Sequence, residues 1–184
     1  MQIKNITIYE YLNLEDSSDY DIFVSTLNPK NLFCGRKANY KGLTFDEVRV
    51  IRSILNAPNS QDIKDLFCML YDIRGSYEMS ADKEFLSQSV FDLFAAKMAL
   101  DEFIIDLDNK ERKYLAGKPD VKAQMVDAGS SLAPFQHQLT KMRLAKDYNT
   151  TPKEIGKWKY SDIFSILIAE KAQEDVMTDY NQIK

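Results

Sequence analysis

A single histidine, His137, is the first place to look for proton-transfer or metal chemistry, and it stands between two amides, Gln136 and Gln138. A metal centre built on it would need carboxylates or a thiolate brought from far along the chain. No C-x-x-C, no H-x-x-x-H and no EF-hand spacing occurs. Ser-His-Asp or Cys-His catalysis would also have to use His137, and no nucleophile-elbow pattern accompanies it. Phosphate-cradling G-x-x-x-x-G-K-[ST] and G-x-G-x-x-G motifs are missing too. Carboxylates do occur close together, as in Asp101-Glu102 and Asp106 with Asp108, but neighbours in sequence point apart on a helix. They read as solvated faces, and His137 reads as a surface or half-buried histidine. The sequence leads us to expect no catalytic residue, no metal and no cofactor.

Binding chemistry is easier to place. Between Leu139 and Tyr160 six basic residues (Lys141, Arg143, Lys146, Lys153, Lys157, Lys159) face two acidic ones (Asp147, Glu154), a local excess of +4. Leu144 to Trp158 resembles a helix-turn-helix, with Ala145 as the small residue at the crossing and Ile155 as the core residue of the second helix. Lys153, Lys157 and Lys159 would then meet phosphates. The second helix offers no Arg, Asn or Gln for base edges, and a long acidic helix follows it. Nucleic acid is therefore the less favoured partner. The candidates for protein contact are aromatic: Tyr9, Tyr11, Trp158, Tyr160 and Phe164, with Trp158 and Tyr160 expected to sit half exposed beside a short helix.

Most of the elements that must position these residues begin with a capping signal. Thr7 with Glu10, Thr44 with Glu47, and Thr151 with Glu154 have capping-box spacing. Pro152 adds the residue favoured at a first helical position, and Leu43 with Val48 has the spacing of a hydrophobic staple. The pattern predicts short helices after Thr7 and over 20–27, then a helix from Thr44 to about Asn56 and another over 62–74. A polar, irregular stretch follows over 75–88, with one turn at Phe85-Leu86. The longest helix is expected over 89–115, its charged end projecting into solvent. A short helix at 121–128 comes next, then one beginning at Ala133 or Pro134. A short helix after Thr151, weakened by Gly156, leads to a final helix opened by Ser161 and Asp162. Ile163, Phe164, Leu167, Ile168, Ala172, Val176 and Tyr180 should form one buried stripe on that last helix. Residues 32–41 read as a connecting loop, with a small hairpin as the alternative.

The architecture expected is all-α, a bundle of roughly seven to nine helices with a helix-turn-helix-like C-terminal part. Residues 1–116 would form a helical body and 130–184 an appendage, joined by 117–129, with a single domain as the alternative. Composition agrees: 45% hydrophobic residues suffice for a core, and only 6 Gly and 5 Pro favour long helices over tight turns. A net charge of −4 argues against a surface wholly devoted to nucleic acid. No run of ~18 apolar residues predicts a membrane span. Two cysteines behind an N-terminus that soon turns acidic suggest a reducing compartment, with Cys68, among Leu66, Phe67, Met69 and Leu70, as a small core residue.

The phrase T-P-x-E-I-x-x-W-x-Y-S-x-x-F, running from Thr151 to Phe164, is similar to phrases in tail-assembly chaperones and related small structural proteins of tailed bacteriophages. ITIYEYLNLED near the start and DNKERKYLAGKPD in the middle also look like these proteins. The resemblance implies a non-catalytic protein, found in the virion or the host cytoplasm. It would bind other phage proteins (tail, tape-measure or connector components), and self-association is compatible with it. The alternative is a helix-turn-helix DNA-binding regulator or packaging factor.

Overall fold

The computed structural model describes residues 4–24, 26–73, 78–116 and 135–182. Among these residues it contains nine α-helices, one 3-10 turn and no strand, so the all-α class holds. The helices are α1 (Ile8–Leu12), α2 (Ser18–Val24), α3 (Phe45–Asn56), α4 (Ser60–Leu70), α5 (Glu78–Leu86), α6 (Val90–Leu115), α7 (Gln136–Asp147), α8 (Pro152–Gly156) and α9 (Tyr160–Gln182). The expected helix at 121–128, and a helix start at Ala133 or Pro134, lie outside the described residues.

The chain divides into two compact units. One comprises Met1–Tyr40 with Ser53–Asp106, the other Lys41–Arg52 with Leu107–Lys184. Residues 41–52 and 107–116 thus belong to the unit that carries the C-terminal helices. Backbone pairing supplies the reason for the first of these. The Phe45 amide donates to the Trp158 carbonyl and the Tyr160 amide to the Leu43 carbonyl, both at 2.9 Å, around an antiparallel bridge of Thr44 with Lys159. The entries to α3 and α9 are therefore held together.

In the first unit the core gathers around Phe33. Its ring meets Phe67, Tyr71 and Phe85 edge-on, with centroids 5.4, 5.7 and 5.5 Å away. Ile8, Ala38, Ile73 and Ala96 complete the buried cluster. Residues 32–41 are consequently not an exposed loop. Phe33 and Arg36 exchange both backbone hydrogen bonds at 2.9 Å across Cys34 and Gly35, whose positive φ values (49° and 69°) make the tight turn of a minimal hairpin. Asn31 clamps the segment by accepting from the Ala38 amide and donating to its carbonyl. Cys34 and Cys68 are free thiols packed against this cluster. Burial pushes the Cys34 thiol up to about 11, with Glu84 adding to the effect.

The capping boxes form at Thr7/Glu10 and Thr44/Glu47 as expected, the Thr amides donating to Glu carboxylates at 2.8 and 2.7 Å. Three further expectations differ in the first unit. The helix expected over 62–74 runs from Ser60 to Leu70 and stops before Asp72, which takes a positive φ of 50°. Residues 78–86 are a helix, not an irregular stretch, because Phe85 has a core site to fill; the 75–77 part of that stretch lies outside the described residues. The second short helix starts at Ser18 instead of Tyr20, where the Asp16 carboxylate accepts from the Ser18 amide at 2.9 Å.

Phe33→Ala leaves a cavity at the meeting point of three rings. It is expected to destabilise the protein by about 3–5 kcal/mol, as read by chemical denaturation.

Candidate functional site

The densest polar constellation in the second unit centres on Asp46, in the first turn of α3. Capping by Thr44 and Glu47 fixes that turn. The bridge to Lys159 carries the end of α8 across it. His137 and Lys141 stand four residues apart on α7 and so share one face. Both reach the same carboxylate: His137 Nε2 donates to Oδ1 at 2.8 Å, and Lys141 Nζ donates to Oδ1 and Oδ2 at 2.9 and 3.1 Å. Phe45 stacks on the imidazole with centroids 4.2 Å apart. Lys141 is buried although it carries an ammonium group, and Asp46 is the charge that compensates it.

Burial works against the Asp46 charge, but the hydrogen bonds from Lys141 and His137 outweigh it and hold the carboxyl below the usual carboxylate range. Burial lowers the His137 pKa against the opposing hydrogen bond to Asp46, and the neighbouring Arg49 and Lys141 add to the lowering. These bonds tie α7 to α3, and the α8 backbone packs closely against the shared carboxylate. The sequence reading of His137 as half-buried agrees with this.

Gly156 belongs to the same tie. A Cβ at this position would lie 2.1 Å from Asp46 Oδ2 and 2.6 Å from its Cγ. The glycine is therefore more than a weak point in a short helix: it lets the α8 backbone approach a carboxylate that two donors hold in place.

Beside the tie runs a cleft of about 450 Å³, lined among others by Phe45, Arg49, Arg52, Glu111, His137 and Tyr160. Arg52 Nη2 bonds Asp108 at 2.6 Å and Glu111 at 3.0 Å. The Tyr160 hydroxyl donates to Glu111, and burial together with this bond raises its phenol well above the ordinary value. The end of α6 thus holds partners within its unit and does not simply project into solvent as expected. Among the described residues no group of three or more His, Cys, Asp or Glu is placed to hold a metal ion.

The aromatic candidates separate. Tyr9, in the first unit, is 60% exposed, whereas Tyr11 is half-buried with its ring against Phe94 and Tyr20. In the second unit Trp158 is half-buried with Tyr148 edge-on at 5.2 Å, and Phe164 is half-buried between Tyr160 and Tyr114. Tyr160 is only 7% exposed, so its expected place in a contact patch with Trp158 is corrected: the hydroxyl is satisfied inward by Glu111. Lys153, Lys157 and Lys159 are all exposed, and Lys157 pairs with Glu154 at 2.8 Å. The helix-turn-helix packing is present, with Ala145 and Ile155 buried where α7 meets α8, and Asn149 takes the positive φ of the turn.

The expected single stripe of α9 is overturned. Ile163 is buried, and Phe164, Leu167 and Ile168 are half-buried, but Val176, Met177 and Tyr180 are 67, 59 and 61% exposed. On α7, likewise, Leu144 and Ala145 are buried while Leu139 and Met142 face solvent, because Lys141 takes the inward position beside Asp46. No described helix is long and apolar enough to cross a membrane. No family model, curated protein or solved structure matches the chain.

Gly156→Ala is expected to destabilise by about 1–3 kcal/mol, although Ala is the better helix former. Asp46→Ala is expected to cost a similar amount, since it strands the buried Lys141 charge. In that background Gly156→Ala should turn neutral or stabilising, by up to about 1 kcal/mol; a double-mutant cycle of urea melts reads the change of sign. The pH dependence follows from burial of His137. Its folded pKa lies below the unfolded value of 6.5, so the unfolded chain binds the extra proton and stability falls as pH drops below about 6.5. Asp46, lowered from 3.8, adds a further loss in the acid range. His137→Gln should abolish the upper phase of a stability–pH profile and leave the lower one.

Proposed function

We propose that the chain is a non-catalytic morphogenesis or virion structural protein of a tailed bacteriophage, acting through protein–protein contacts during tail or connector assembly. The observation that carries this reading is the distal half of α9, where Val176, Met177 and Tyr180 hold apolar and aromatic surface in solvent beyond the point where the helix packs inward. Apolar groups that a folded unit leaves together on one helix are the usual currency of association. The resemblance of Thr151–Phe164 to tail-assembly chaperones and related phage structural proteins supplies the biological setting. In this reading the Asp46 tie is architectural: it fixes α7, α8 and the start of α3, leaving α9 to present its surface. The partners are tail, tape-measure or connector proteins, and the setting is the virion or the host cytoplasm.

DNA binding is the second reading, favoured by the Ala145–Ile155 packing and the exposed Lys153, Lys157 and Lys159. It is the weaker one because α8 has five residues, a rise of about 7.5 Å, which is little to lay along a major groove.

Cross-linking mass spectrometry on infected-cell lysate and on purified particles is expected to join the chain to tail, tape-measure or connector proteins. Cross-links to none of these, or duplex binding that weakens steeply between low and physiological salt, would overturn the reading.

A further inference from the structure

Resting on the reading just given, we infer that the distal half of α9 is a docking face for an amphipathic helix of another protein, one whose apolar stripe is edged by Lys or Arg. At 3.6 residues per turn, Ala169, Ala172, Val176, Met177 and Tyr180 fall within an arc of about 140°, interrupted by one polar residue, Gln173. Ile163, Phe164, Leu167 and Ile168, which pack inward, occupy the opposite arc. The exposed stripe is therefore a second apolar face, directed away from the first.

Its borders are acidic on both sides. Helical projection puts Asp175 and Asp179 along one edge and Glu170 and Glu174 along the other. The only cation in this part of α9, Lys171, projects onto the face away from the stripe and reaches one carboxylate of each border, Asp175 at 2.6 Å and Glu174 at 3.8 Å. Arg143 holds Glu170 at 2.7 Å. A second copy of this helix would bring acidic edges against acidic edges, which is destabilising whichever way the helices run. An anionic membrane surface meets the same repulsion. A helix with an apolar stripe and basic edges buries the arc and meets the surplus negative charge that four carboxylates keep over Lys171 and Arg143, the charge arrangement that selects partners in helix-on-helix recognition.

The test uses the full chain and two fluorescent peptides of about 20 residues with the same Leu stripe, one edged with Lys and the other with Glu. Anisotropy titration is expected to show binding of the Lys-edged peptide at least about tenfold tighter than the Glu-edged one. Val176→Asp should weaken it by about tenfold or more, even though the change adds negative charge, so a merely electrostatic attraction would give the opposite result. Glu174→Lys with Asp179→Lys should reverse the preference between the peptides. The inference is overturned by equal binding of both peptides, by tighter binding to Val176→Asp, by concentration-dependent dimerisation that Val176→Asp abolishes, or by partition onto vesicles in place of peptide binding. Failure here combined with cross-links to tail or connector proteins sinks the docking face and leaves the assembly reading intact. Lys-edged peptide binding without such cross-links does the reverse.

Discussion

The second unit depends on one carboxylate. Lys141 is buried as an ammonium, and a buried charge without a counter-charge would cost several kcal/mol, enough to consume much of a small protein's stability. Asp46 removes that cost only if α7 brings Lys141 within bonding distance, and at that distance His137 one turn away must bond as well. The carboxylate then fills the space that any side chain on residue 156 would need. Four residues from three helices are thus determined together, each restricting the next: the cap places Asp46, Asp46 fixes Lys141 and His137, and their grip requires glycine at 156. Phe45, stacked on the imidazole, takes the apolar side of the same junction.

Features that arise within a few residues were legible in the sequence. The Thr7, Thr44 and Thr151 side chains accept backbone hydrogen bonds as their spacing implies, although the Thr151 box is half made because the Glu154 carboxylate takes Lys157, and α6 runs as the longest helix close to its expected bounds. What escaped prediction depends on residues far apart. His137 and Lys141 stand four residues apart, but the carboxylate they share lies 91 and 95 positions away. Tyr160 looked like a surface aromatic until Glu111, 49 positions earlier, gave its hydroxyl an inward acceptor. The stretch ending at Phe85 has weak helical periodicity, and it becomes helical where the ring cluster around Phe33 has a site for it. The division into units likewise draws on contacts remote in sequence, since the pairing of 43–45 with 158–160 joins residues more than a hundred positions apart.

The last helix is where local pattern and tertiary packing part company most clearly. Counting apolar residues along α9 yields a continuous stripe, but a helix of this length can carry two faces in succession. The proximal turns bury Ile163 against their own unit, while the distal turns carry Val176 and Tyr180 out of reach of that core. Burial alone would have favoured polar residues on the distal arc, because exposed Val and Met add nothing to the stability of the folded chain and raise the risk of indiscriminate association. The acidic borders answer that risk: they keep like helices apart and leave the apolar centre open to a partner of opposite edge charge. The Asp46 tie and the α9 stripe thus divide the work in this unit, the first spending its charge inward to fix three helices and the second using charge outward to choose what may be bound.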